Sequence, residues 1–301
     1  MIAVSTAWNA DRHAGWAPAV LELFSLGHRL VALDGAAVHA DADAAGRAVR
    51  AAKGELVALF APSPRGDDAG RPSAEGLVSP RAEVRAVATA AAATAGRAAL
   101  AAGTTRVVLR AGRLPDLDAS REARWLDRPV REGRTDALAG EVRTSVDAAR
   151  RDRERFLEAL CRALFDLSRA LPDAQWLLET PSATSGFPLP AEAETVFGEL
   201  PGRRVGYWHD AGNAARLDAL GVLPAEEWLT RLGRRAAGVT ISDWSPMASH
   251  LPPGAGVVDW PALRAQLSAP MILVLRLDPA FPAPLLADAV REARAMAFSS
   301  S

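Results

Sequence analysis

One cysteine, Cys161, and one lysine, Lys53, occur among 301 residues. A lone cysteine excludes an intrachain disulfide and a thiolate metal cluster. Leu157, Leu160 and Leu164 recur around it at helical spacing, so Cys161 is expected as a buried, inert thiol. Almost every basic residue is arginine, which reads as the base composition of the gene. Long hydrophobic runs are missing too: the Ala-rich stretch Ala86–Ala102 is broken by Arg97 and lacks the bulky side chains of a membrane span. Met1–Ser5 enters a strand-like run without the basic start of a signal peptide, so the cytoplasm is the expected compartment and no membrane partner is expected. A formal charge of -1 lacks the basic excess of a dedicated nucleic-acid binder. Walker loop, Gly-x-Ser-x-Gly elbow, His-Glu-x-x-His and solenoid repeat are all absent. Gly254-Ala255-Gly256 is too short for a dinucleotide fingerprint.

What is present suits a large α/β core. Hydrophobic residues make up 49% and charged residues 24% of the chain, enough apolar material for a sizeable interior. Short apolar runs at Ile2–Ser5, Arg29–Asp34, Leu56–Ala61, Arg106–Ala111, Gln175–Thr180, Arg203–Asp210, Ala237–Asp243 and Met271–Leu277 read as buried parallel strands. Helices are expected at Ala17–Leu26, Ala42–Lys53, Arg81–Ala102, Thr144–Leu171, Ala191–Leu200, Ala225–Arg235, Trp260–Leu267 and Pro284–Ala297. This alternation predicts one α/β domain over residues 1–301, a single (β/α)8 TIM barrel. A two-domain doubly wound fold is the alternative, and no linker favours it. Long βα loops at 62–79 and 112–139 belong on the C-terminal face, one of them as a lid; a disordered insertion is an equal alternative for the first, and Trp125 argues against full disorder in the second. The run Arg150–Arg155 is expected as a solvated helical face laced with weak ion pairs.

Strand parity points to a site. Side chains alternate between barrel interior and helix layer. Asp34 shares a face with Ala32, Arg110 with Val108, Glu179 with Leu177, Asp210 with Trp208, and Arg276 with Val274. If Asp210 points inward, these five ionisable groups converge at one end of the barrel, while Tyr207 and His209 face the helices. Buried charges require partners, and three carboxylates with two guanidiniums can neutralise one another. The pairs expected are Arg276–Glu179 with Arg110–Asp210, or the crossed arrangement. His13 is expected as a solvated loop residue, and His28 and His39 at the surface.

Trp208-His209-Asp210-Ala211-Gly212-Asn213 and His250-Leu251-Pro252-Pro253-Gly254-Ala255-Gly256 resemble the paired site motifs of xylose-isomerase-like sugar isomerase/epimerase barrels, a group related to endonuclease-type barrels. Those proteins commonly hold a divalent ion through Glu, Asp, His and a second Glu on successive strands. The resemblance implies Glu179 for the first glutamate and Asp210 for the aspartate, and the His-x-Pro-Pro-Gly-x-Gly element matches in full. It sets Thr240 at the histidine, Arg276 at the closing glutamate, Arg110 at a histidine of the fourth strand, and Asn213 at the last position of Asp-x-Gly-His. Arginine does not deprotonate in proteins, so Arg276 would repel a cation and would remove one half of a two-glutamate proton shuttle.

The resulting expectation is a diverged sugar isomerase/epimerase-like barrel that binds or converts a small, anionic carbohydrate-type ligand. Glu179 is the candidate base, with Arg276 and Asp210 beside it, and Arg110, Trp208, Asn213, Thr240, His250 and Asp34 bind ligand. Trp8 or Trp244, at neighbouring strand ends, joins Trp208 as a stacking surface for a sugar. No cofactor is expected; a divalent Mn, Zn or Mg, if held, would take Glu179, Asp210 and His250. An inactive barrel serving as a binding module is the alternative. A metal-dependent abasic-site endonuclease is a weaker one.

Overall fold

The computed structural model describes residues 1–35, 38, 40–62, 75–115, 122, 124–126, 136–202, 204–268 and 271–298. Strands β1 (Ile2–Ser5), β2 (Leu30–Leu33), β3 (Glu55–Phe60), β4 (Arg106–Leu109), β5 (Gln175–Glu179), β6 (Val205–Asp210), β7 (Ala236–Ile241) and β8 (Ile272–Leu275) follow the expected runs, with ends differing by at most two residues. Each pairs in parallel with its neighbours in sequence, and β8 returns to β1 through Ala3 opposite Val274, closing the barrel. Helices α1 (Trp16–Ser25), α2 (Ala42–Ala51), α3 (Ala82–Ala102), α4 (Asp136–Ala149), α5 (Arg153–Ala170), α6 (Pro190–Glu199), α7 (Ala211–Ala219), α8 (Ala225–Leu232), α9 (Trp260–Gln266) and α10 (Ala283–Phe298) surround it. The fold is a (β/α)8 barrel. No described helix is long and apolar enough to cross a membrane.

Two helical expectations are corrected. The helix expected over Thr144–Leu171 is broken into α4 and α5 at Arg150-Arg151-Asp152. Arg150 is buried: Nη2 donates to the Gly186 carbonyl at 2.7 Å, Nη1 lies 3.4 Å from Glu192, and the chain turns there. Only Arg151–Arg155 keep the solvated character expected of the run. The second correction is α7, absent from the expected helices. It follows β6 without a loop because Asp210 Oδ1 accepts the Asn213 N–H at 2.8 Å and caps it.

The long loops lie mostly outside the described residues. Of the second, Gly112–Arg113 pairs antiparallel with Gly186–Phe187. Glu122 accepts from the Thr184 N–H at 2.9 Å and hydroxyl at 2.8 Å and pairs with Arg216 of α7. Trp125 is buried and donates to Glu141 at 3.0 Å. These contacts hold part of the 112–139 segment against the loop that follows β5.

Parity is observed as expected. Ala32, Val108, Leu177, Trp208 and Val274 meet inside the barrel with Ala3, Ala58 and Phe60. Tyr207 belongs to the outer layer, stacked on Trp228 at 6.2 Å. The interior is filled largely by Trp208, which is 0% exposed and stands edge-on to Phe60 at 5.4 Å. Burying an indole of this size contributes at most roughly 4–6 kcal/mol by area. Gly238 makes the room: a Cβ there would lie 2.5 Å from the indole.

Gly238→Ala therefore overpacks the barrel and is expected to cost about 1–3 kcal/mol. Trp208→Phe in the same chain should recover part of the loss in a thermal-melt double-mutant cycle. Strictly additive losses would remove the steric account.

Candidate functional site

The five ionisable side chains converge where the strands end. Asp34 follows β2 and is held by its neighbours: its N–H donates to Thr6 Oγ1 at 2.8 Å, and its carbonyl accepts from Trp16 Nε1 at 2.9 Å. Gly35 N–H donates to Asp34 Oδ1 at 2.7 Å. Its other oxygen, Oδ2, lies 2.8 Å from Arg276 Nε. Arg110 Nε donates to Glu179 Oε2 at 2.7 Å, and Arg276 Nη1 stands 3.9 Å from Glu179 Oε1. The expected pairings are thus half right. Arg110 takes Glu179, whereas Arg276 takes Asp34 and only approaches Glu179. Asp210 forms neither expected bridge: Oδ1 caps α7, and Oδ2 is buried without a hydrogen-bond partner among the described residues.

Buried charge of unequal number has consequences for protonation. Burial, then the neighbouring Glu179 carboxylate, raise the Asp210 pKa to about 7, against the opposing pull of the Asn213 N–H and of Arg276 and Arg110. With Asp210 protonated, two carboxylates face two guanidiniums and the cluster is neutral. Burial alone would lower Arg110, but Glu179, Asp34 and Asp210 outweigh it and raise its pKa. Burial, Arg276 and Arg110 push His250 down to about 3, so its imidazole is neutral.

Above the cluster lies a cavity of about 220 Å³ lined by Asp34, Arg110, His250 and Arg276, together with Asp11 and Asp278. The remaining expected ligand contacts serve other ends. Glu179 and Asp210 are 4% and 1% exposed and lie outside the cavity lining. As a base, Glu179 would have to work from behind two guanidiniums. Trp208 is sealed in the interior, with its Nε1 donating to Thr240 Oγ1 at 2.9 Å, so neither residue presents a surface to a sugar. Trp8 and Trp244 are 1% and 4% exposed and equally closed; Trp8 donates instead to the Phe281 carbonyl at 2.7 Å. Asn213 pins α7 to the end of β5 by donating to the Thr180 carbonyl at 3.0 Å. His13 pairs with Glu22 of α1 at 2.7 Å, and His39 lies outside the described residues.

The residue that holds the His250 loop, Asp243, is not among the expected site residues. Asp243 is 0% exposed and accepts from Trp244 N–H at 2.8 Å, Gly254 N–H and Val258 N–H at 3.0 Å, and Trp260 Nε1–H at 3.1 Å. The His-x-Pro-Pro-Gly-x-Gly loop therefore winds around one carboxylate. Gly254 sits there at φ 85°, and a Cβ on Gly256 would lie 2.3 Å from Asp243 Oδ1. His250 itself is held at φ 55°, with its carbonyl accepting the Asp278 N–H at 3.1 Å. The available signal was an aspartate closing a strand ahead of a loop with two close glycines.

The donor set does not fit a divalent ion. Among the described residues, no three His, Cys, Asp or Glu side chains are arranged to hold one. Glu179 already faces Arg110 and Arg276, and Asp210 spends one oxygen on a helix cap.

No family model and no curated protein sequence matches the chain. Solved structures do. A protein from Rhodospirillum rubrum described as a putative xylose isomerase superposes with TM-score 0.69 at 17% identity, covering 100% of this chain and 99% of that one. A D-tagatose 3-epimerase-like protein gives 0.67 at 13% identity over 98% and 97%. The 3-keto-D-glucoside 4-epimerase of Escherichia coli gives 0.64 at 13% over 97% and 98%. The chain thus shares the TIM-barrel fold of these structures.

Asp210→Asn keeps a competent helix cap while removing the titration. A carboxyl whose folded pKa is raised binds more protons folded than unfolded, so its contribution falls as pH rises from 3.8 to about 7. The variant should match the wild type in acid and melt about 2–6 °C higher at about pH 8. Parallel melting-temperature profiles for the two proteins across that range would show that Asp210 does not carry this load.

Proposed function

We propose that the barrel mouth binds a small anionic carbohydrate, a sugar phosphate or sugar acid, and does so without a resident divalent ion. The observation that carries this reading is the pair of guanidiniums lining the cavity, Arg110 and Arg276. Each is held from behind by a carboxylate, so neither must be ordered when an anion arrives. At about 220 Å³ the cavity lies below the ~300–1,000 Å³ usual for drug-sized ligands, which restricts the occupant to roughly one sugar unit. Neutral His250 and the carboxylates of Asp11 and Asp34 offer hydroxyl contacts around the anion. The carbohydrate class is supported by the fold neighbours, two of them described as a 3-keto-D-glucoside 4-epimerase and a D-tagatose 3-epimerase-like protein.

The seclusion of Glu179 favours binding over proton abstraction. A base must reach within about 2.6–3.2 Å of the proton it removes, and Glu179 lies outside the cavity lining. A two-carboxylate proton shuttle therefore has no place in this reading. The partner is a small molecule rather than nucleic acid or membrane, and the compartment is the cytoplasm.

Calorimetry with sugar phosphates, aldonic acids and their neutral parent sugars tests the reading on wild type, Arg110→Gln and Arg276→Gln. Losing a charge-assisted contact of ~1.5–3 kcal/mol should weaken the anionic ligands about 10- to 100-fold and spare the neutral sugars. Equal affinity of Arg276→Gln and wild type for every anion would remove the guanidinium from recognition. Stoichiometric Mn, Zn or Mg retained through purification would overturn the metal-free part.

A further inference from the structure

A second cavity, of about 280 Å³, lies outside the barrel between α7, α8 and α9. Its floor is His209, on the outer face of β6, and its walls include Ala211, Ala214 and Ala215 of α7 with Leu263 of α9. Asp218, Glu226 and Asp259 contribute carboxylates to the lining, and among the described residues no arginine or lysine lines it.

His209 is 2% exposed, and hydrogen bonding sets the direction of its polar edge. Thr180 Oγ1 accepts the Asp210 N–H at 2.9 Å and lies 2.6 Å from the Tyr207 hydroxyl, which lies 2.8 Å from His209 Nδ1. If Thr180 donates to Tyr207, Tyr207 donates to Nδ1 and every hydroxyl proton in the chain is used. The reverse direction leaves the proton of the buried Thr180 hydroxyl without an acceptor, which is the costlier arrangement. Nδ1 is therefore the acceptor and Nε2 carries hydrogen. Nε2 has no protein partner among the described residues. Nε2–H thus opens on the cavity, where a bound molecule can supply the acceptor that the chain does not.

We propose that this cavity is a second small-molecule site, separate from the barrel mouth, for a compact amino alcohol. Its oxygen accepts from His209 Nε2–H, its apolar body lies along the alanines of α7, and its ammonium group meets the carboxylates. This assignment does not depend on what the mouth binds.

The test uses the full-length chain, leucinol as probe, and isoamyl alcohol and isoamylamine as comparators lacking the charge and the oxygen. NMR of protein carrying nitrogen-labelled histidine, with His209 assigned from His209→Gln, reads the tautomer and the response together. The expected result is an Nε2–H tautomer whose resonance shifts saturably with leucinol, at higher affinity than with either comparator. Glu226→Gln, at an exposed position, should weaken leucinol about 2- to 5-fold and leave isoamyl alcohol unchanged. Ala214→Leu should fill the space and abolish the response. An Nδ1–H tautomer, no saturable shift, or leucinol binding undiminished in both variants would overturn the assignment. If Ala214→Leu fails to fold, the tautomer and Glu226→Gln still decide.

Discussion

The pairing of Arg110 and Arg276 with Glu179 and Asp34 is the constraint on which the mouth of this barrel depends. Removing a guanidinium from water costs several kcal/mol, recovered only when a carboxylate stands close and well oriented. Here the partners come from different strands: Asp34 from the end of β2, Arg110 from β4, Glu179 from β5 and Arg276 from β8. The Arg276–Asp34 pair therefore also ties β8 to β2, which do not adjoin, while Arg110–Glu179 clasps the neighbours β4 and β5. The third carboxylate, Asp210, is not matched by a third cation; burial first, and then the Glu179 carboxylate, raise its pKa.

Packing below and above the cluster keeps it at one height. Below, Trp208 fills the barrel because Gly238 has no Cβ and Thr240 offers its hydroxyl to the indole N–H. Above, Asp243 gathers four N–H donors and winds the following loop so that His250 reaches the rim. Asp210 joins the two levels, ending β6, starting α7 and facing the charge cluster at once. Thr180 and Tyr207 continue that junction outward to His209, so one strand end serves both cavities.

Much of this is legible in the sequence. Eight apolar runs at βα spacing identify the barrel, and parity correctly sorts Trp208 and Asp210 inward from Tyr207 and His209 outward. The division of labour among the inward groups was not legible. Trp208, Thr240 and Asn213 sit in motif positions that suggest ligand contact, and each is used within the protein itself. Arg150 looked like surface charge because its neighbours are, until Gly186 and Glu192, distant in sequence, accepted its guanidinium.

The sequence by itself determined the barrel and the set of charges at its mouth, because strand periodicity and alternation are local properties of the chain. Only the tertiary structure decided which arginine meets which carboxylate, which groups face the cavity and which lie sealed beneath it. Those outcomes turn on ångström distances between strands far apart in sequence, where a carboxylate at 2.8 Å from Arg276 wins over one at 3.9 Å.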